Sequence, residues 1–329
     1  MPTPVPNAPG WHDALWQHMG QAIAQDRVAH GLLICGPPGV GKRVFAARIV
    51  AALLCRGRAD NGDACGECPA CRQLGAETHP DVSRLVPEET GRMIKVEQVR
   101  NFSRRLHLTP QYDSGRIGWI DPAEQLSMSA ANSLLKTLEE PPARCHIVLM
   151  TDRVSALMPT IRSRCQLWRV PPPAPADASA WLQTQDIATE GLDDDSLRTP
   201  FAVLERTTRD YDALTRNWDT ALSDVIRNRE DVSSAAARLA KDPPDLWLDW
   251  LYRRASALLS IALGDTRNSF LPKPLEQIAL KLDPAVFQPW MAQVAGTARL
   301  AHSNADWQLV IESLLLNLKG SLKRRPAQP

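Results

Sequence analysis

Two rhythms of apolar and polar positions run along the chain. Up to about position 170, short apolar runs alternate with helical stripes; beyond it only helical spacing remains. The short runs are His30 to Cys35, Val82 to Val86, Ile117 to Ile120, His146 to Met150 and Gln166 to Val170. All five predict strands, and the runs at His30, Ile117 and His146, near-continuously apolar, predict strands buried in a parallel sheet. Between them, Leu15, Met19, Ala22 and Ile23 predict a helix over Trp11 to Ala29, and Val44 to Leu54 predicts another. Ile94, Val96, Val99, Phe102 and Leu106 predict a third over Met93 to Leu106. Ala130, Leu134, Leu135 and Leu138 mark a fourth over Ser129 to Glu140, stopped by Pro141-Pro142 because proline blocks continuation. Asp121 and Asp152 each follow an apolar run, which places them at the carboxyl edge of the sheet, where open α/β sheets hold their ligands.

Pro171-Pro-Pro-Ala-Pro175 marks a boundary. The expected domains are 1–170, a small helical domain over 171–214, and an all-helical domain over 215–329. In the second, helices are expected over Ala178 to Gln185, from Asp193, and over Thr199 to Leu214. In the third they are expected over Trp218 to Asn228, Val232 to Ala240, Leu246 to Leu263, Pro274 to Leu282, Pro284 to Leu300 and Asp306 to Leu322. Six of the ten tryptophans lie after Pro175, and without an accompanying polar set they are expected to fill a bundle core. Lys319 and Lys323-Arg-Arg325 form a basic tail with no assigned role.

Charge narrows the function classes. Lys and Arg total 38 against 37 Asp and Glu, a formal charge of +1, so no global basic field grips nucleic acid; contact with DNA must be local or made through a partner. No apolar run approaches the ~20 residues of a membrane span, and Met1 to Pro9 lacks the layout of a signal peptide. A cytoplasmic protein is expected. Seven cysteines, three of them tightly clustered, suit a reducing compartment and a metal better than a disulfide scaffold.

The first candidate site follows the first strand. Gly36-Pro-Pro-Gly39-Val-Gly41-Lys42 between strand and helix is the context of a phosphate-binding loop: Gly36, Gly39 and Gly41 let backbone N–H groups turn inward, the helix N-terminus adds partial positive charge, and Lys42 adds a full one. Arg43 stands where the pattern has Ser or Thr, whose hydroxyl ligates Mg²⁺. The second candidate is Cys55, Cys65, Cys68 and Cys71, a set of four thiolates suited to a closed tetrahedral Zn²⁺ site in a loop-rich insertion, 56–75, that has no large core. Arg100, Arg104 and Arg105 form either a solvated basic face or a phosphate contact. Thr160-Ile-Arg162-Ser163-Arg164-Cys165 is, taken alone, most simply a solvated surface; the functional alternative is an arginine that reaches out of the module edge into a neighbour's nucleotide site.

Taken in order, the glycine loop, the cysteine insertion, Ala130-Ala-Asn-Ser-Leu-Leu-Lys-Thr-Leu-Glu-Glu-Pro-Pro142 and Ser163-Arg-Cys165 resemble the clamp-loader subunits of bacterial DNA polymerase III. The resemblance covers roughly Gln21 to Val170 by motif and the remainder by layout. It implies an α/β P-loop (RecA-like, AAA+) domain with a zinc-binding insertion, followed by a small helical lid and an all-α collar domain. The implied partners are the motor (gamma/tau) subunits and the delta subunit in a hetero-pentamer, and through that complex the sliding clamp and primed DNA. Within the family, motors carry Ser or Thr after the loop lysine, an Asp-Glu pair at the strand edge, and a phosphate-sensing Asn. This chain has Arg43, Asp121-Pro122 and Asp152, and Glu124, two residues further on past a proline, is not expected to point at the same γ-phosphate. The resemblance therefore implies a non-motor subunit with weak or absent ATPase, not itself a polymerase, binding ATP or ADP if at all through Gly36, Gly39, Gly41, Lys42 and Asp121, and offering Arg164 in trans to a neighbour's ATP. The alternatives are an active ATPase motor of the same complex and a zinc-dependent nucleic-acid-binding module.

Overall fold

All five apolar runs become strands of one parallel sheet: β1 (Gly31–Cys35), β2 (Val82–Leu85), β3 (Arg116–Ile120), β4 (Cys145–Thr151) and β5 (Gln166–Arg169), in the order β2-β3-β4-β1-β5. The computed structural model describes residues 8–88, 92–190, 192–208, 211–264, 271–297 and 305–323. Its chain divides into two units, Met1–Glu205 and Arg206–Pro329.

The three central strands, β1, β3 and β4, are buried along nearly all of their length, whereas the edge strands expose Arg84 of β2 and Gln166, Leu167 and Arg169 of β5. Leu32 and Ile34, Ile117 and Trp119, Val148 and Met150 face one side, with Trp16, Met19 and Ile23 of α1 (Asp13–Ala24) and Phe45, Ile49 and Val50 of α2 (Lys42–Leu54). Leu33, Ile120, Ile147 and Leu149 face the other, with Val99, Phe102 and Leu106 of α4 (Val96–Leu106) and Ala130, Leu134 and Leu138 of α5 (Met128–Glu139). Each fully buried side chain of this size contributes about 1.5–3 kcal/mol relative to exposure. Gly118 of β3 lets α4 approach closely, since a Cβ there would stand 2.6 Å from the Phe102 ring.

Two boundaries differ from the sequence-based expectation. The apolar stripe predicts a helix from Met93, but Ile94 is taken by a parallel bridge to Leu126, and the helix begins only after Lys95. Thr199 to Leu214 is expected as one helix; the structure has α9 (Pro200–Thr208) and α10 (Tyr211–Ile226), with Tyr211 to Leu214 belonging to the second. The remaining helices of the first unit are α3 (Pro69–Gly75), α6 (Pro159–Arg162), α7 (Pro175–Gln183) and α8 (Asp194–Leu197).

In the second unit α10 is followed by α11 (Val232–Leu239), α12 (Pro244–Ala262), α13 (Lys273–Ala279), α14 (Pro284–Thr297) and α15 (Trp307–Lys323). Trp218, Trp247, Trp250 and Trp290 lie in its core, as the sequence predicts. The indole N–H groups of Trp218 and Trp290 donate to Asp242 (2.6 Å) and to the Leu314 carbonyl (2.8 Å), so these polar edges are satisfied inside the core. Positions 324 and 325 of the basic tail lie outside the described residues. No helix among the described residues is long and apolar enough to cross a membrane.

Candidate functional site

With β1 flanked by β4 and β3 next beyond, the carboxyl ends of three strands converge on the glycine loop. The loop owes its path to its glycines. Gly39 and Gly41 have φ of 77° and 91°, which side-chain-bearing residues rarely adopt, and a Cβ on Gly36 would stand 2.4 Å from the Val170 carbonyl. Lys42 opens α2 and is buried. Its Nζ lies 2.6 Å from Asp152 Oδ1 and donates to the Pro37 carbonyl at 2.6 Å. The next residue repeats the pattern: Arg43 Nε donates to Asp121 Oδ2 at 2.7 Å. The structure thus joins Gly36, Gly39, Gly41, Lys42 and Asp121 in one place, and closes both loop cations on both edge carboxylates. An arriving phosphate must take Lys42 from Asp152, and a divalent metal must take Asp121 from Arg43.

Glu124, past Pro122, accepts the Asp152 backbone N–H through Oε1 at 3.0 Å, which places its carboxylate at the same sheet edge. Its Oε2 is buried with no partner among the described residues.

The outer side of the loop is covered by an aromatic group that the sequence reading did not connect to it. Trp11 Nε1 donates to the Val40 carbonyl at 3.1 Å, and His12 Nε2 meets the same oxygen at 3.2 Å. Burial pushes the His12 pKa down to about 4, so near neutrality the ring is uncharged, and Nε2 carries the proton that this carbonyl accepts. From the helical side, Phe201 N–H donates to the Gly39 carbonyl at 3.0 Å, and a Cβ on Gly41 would fall 2.5 Å from the Phe201 ring. Trp181 stacks on Phe201 with ring centres 4.4 Å apart and meets Trp11 edge-on.

The second site is built at the far end of α2. Cys55 caps that helix, and the insertion returns Cys65, Cys68 and Cys71 to it, so that the four Sγ atoms lie within 4.8 Å of one another. Tetrahedral thiolates at about 2.3 Å from Zn²⁺ stand about 3.8 Å apart. Cys55 to Cys65 and Cys68 to Cys71 are each 3.5 Å here. The N–H groups of Cys65 and Gly57 point at Cys55 Sγ, and that of Cys68 at Cys65 Sγ. Donors aimed at sulfur favour the thiolate form, and the four residues fit a metal ion.

Arg164 lies away from this loop, between α6 and β5. It is half-buried: Nη2 pairs with Glu139 at the end of α5, and Nη1 donates to the Thr160 carbonyl at 2.9 Å. Two of the three α4 arginines, Arg100 and Arg104, border a groove of about 670 Å³ with Lys136 and Thr137 of α5. Arg100 is paired with Glu97 at 2.7 Å.

Residues 11–174 match the family described as DNA polymerase III, delta subunit. The DNA polymerase III subunit delta' of Pseudomonas aeruginosa is 42% identical over 172 residues, covering 52% of this chain and 51% of that protein. The subunit delta' of Yersinia pestis is 35% identical over 175 residues, covering 53% and 51%. The subunit delta' of Bacillus subtilis is 26% identical over 310 residues, 91% of this chain and 93% of that protein. Against the first two, the chain spans about half the length of the relatives it matches. Through residues 11–174 the chain belongs to this DNA polymerase III family.

Proposed function

We propose, from that family membership, that the chain is a non-motor, delta-prime-type subunit of a DNA polymerase III clamp loader. In this reading it packs with motor (gamma/tau) subunits and a delta subunit in a hetero-pentamer, and the complex places the sliding clamp on primed DNA in the cytoplasm. The observation that carries the non-motor reading is the double ion pair, Lys42 with Asp152 and Arg43 with Asp121. Phosphoryl transfer needs a lysine free to follow the γ-phosphate and a carboxylate free to hold Mg²⁺. Here both are engaged within the chain, and Phe201 and Trp11 fill the loop's outer side.

Arg164 is the residue offered to a neighbour. Its present partner is the half-exposed Glu139, and ion pairs this exposed are worth about 0–1 kcal/mol, so exchanging Glu139 for a phosphate costs little. A guanidinium supplied in trans stabilises the charge that builds on the transferring phosphoryl group, by roughly 10³–10⁵ in rate where such arginines are measured. Cys55, Cys65, Cys68 and Cys71 would hold Zn²⁺, which supplies no chemistry to the reaction and ties the insertion to α2. The test is ATP turnover by the isolated chain beside that of the reconstituted complex. Motor-like turnover by the chain alone would replace this reading with that of an active motor.

A further inference from the structure

The insertion between Cys55 and Cys71 has little to hold it. Every residue from Arg56 to Asn61 is exposed, and Gly62 alone is buried before the loop reaches Asp63. Two contacts fasten that point to the helices beneath. Arg48 of α2 forms a forked bond with Asp63, Nε to Oδ1 at 2.6 Å and Nη2 to Oδ2 at 2.8 Å. The guanidinium lies over the Trp16 ring of α1 at 4.0 Å and is largely buried. Beside it the backbones of Gly20 and Gly62 touch: a Cβ on Gly20 would stand 2.3 Å from the Asn61 carbonyl, and one on Gly62 2.7 Å from Gly20 Cα. The Asp63 carboxylate also receives Asn61 Nδ2 at 2.8 Å, closing a tight turn just ahead of Cys65.

Resting on the reading of the four cysteines as a zinc site, we propose that Arg48 and Asp63 are its positioning pair. Their bidentate bond anchors the loop two residues before Cys65 to the same helix whose end carries Cys55. Cys65 and Cys68 lie on the loop, Cys71 on α3 and Cys55 at the end of α2, so the bond helps to fix the distance across which the metal must be shared. A guanidinium fork on a carboxylate sets orientation as well as distance, and its burial against Trp16 limits the side-chain freedom that would loosen it. Groups that orient metal ligands without touching the metal commonly change affinity about 10–100-fold when removed.

The experiment is zinc affinity by competition with a chromophoric chelator, on the full chain stripped under reducing conditions. Alongside it, the thermal midpoint of the metal-free protein is measured. Asp63→Ala is expected to weaken zinc about 10–100-fold with the metal-free midpoint unchanged. Asp63→Asn, which keeps one acceptor for the fork, falls between. Gly20→Ala, which pushes the loop off α1 without touching either partner, should weaken zinc in the same direction, and Asp60→Ala on the exposed part of the loop should match wild type. Wild-type affinity in Asp63→Ala overturns the inference while leaving the zinc site standing. Lost affinity with an equal drop in the metal-free midpoint overturns it too, by assigning Asp63 to the fold. A wild-type chain that takes up no zinc overturns the site reading itself.

Discussion

Lys42 Nζ and Asp152 Oδ1 stand 2.6 Å apart, joining the head of the glycine-loop helix to the end of the neighbouring strand. A lysine in this position normally answers to phosphate; here the chain supplies the anion itself. Asp152→Asn should free Lys42 while keeping the side chain's size. The variant is expected to bind a fluorescent ATP analogue more tightly than wild type, while hydrolysis stays at background because Arg43 still holds Asp121. Equal binding by the two proteins would show that Asp152 is not what closes the loop.

His12 gives the first unit a pH dependence. Its folded pKa of about 4 lies below the usual value near 6.5, because burial against the loop disfavours the imidazolium. As pH falls from about 6.5 to 4 the unfolded chain takes up a proton that the folded one refuses, so stability declines across that window, by roughly 3 kcal/mol for a shift of this size. His79 and His146 are lowered by burial in the same sense. Denaturant midpoints measured at pH 7 and 5 should therefore differ less in His12→Gln than in wild type, without becoming equal.

Cys68→Ser should lose the metal, with alkylation of the remaining cysteines becoming fast, while the second unit keeps its unfolding transition. Zinc at about one per chain by elemental analysis is expected for wild type and well below one for the variant.

Gly118→Ala tests the packing of α4. The added methyl meets the Phe102 ring at 2.6 Å, so the sheet and helix must part or the ring must leave its rotamer. Overpacking of this kind costs about 1–3 kcal/mol, to be read as a lower denaturant midpoint.

The strands were legible in the sequence because a parallel sheet covered on both faces leaves an unbroken apolar trace, as Leu32, Leu33 and Ile34 show. The path of the glycine loop and the clustering of the four cysteines were legible for a similar reason: both are set by residue spacing along the chain. The start of α4 was not, since Ile94 belongs by periodicity to the helix and by tertiary pairing to Leu126. Nor was the closure of the loop. That Asp152 reaches Lys42, and that Glu124 returns to the same edge, depends on β4 lying between β1 and β3, which no local pattern states. Phe201 and Trp181 read only as helix residues, and the seat of Phe201 on the glycine loop, with Trp181 packed behind it, appears only in three dimensions.

In the proposed function this chain lends an arginine to a neighbour's nucleotide and does not turn over its own. The most direct test is the ATP hydrolysis rate of the reconstituted clamp-loader complex containing either Lys42→Ala or Arg164→Ala, at matched assembly and in the presence of clamp and primed DNA. The expected rate is indistinguishable from wild type for Lys42→Ala, with a clear loss for Arg164→Ala that Arg164→Lys does little to restore, because an ammonium lacks the forked donor geometry. A loss with Lys42→Ala and wild-type turnover with Arg164→Ala would contradict it.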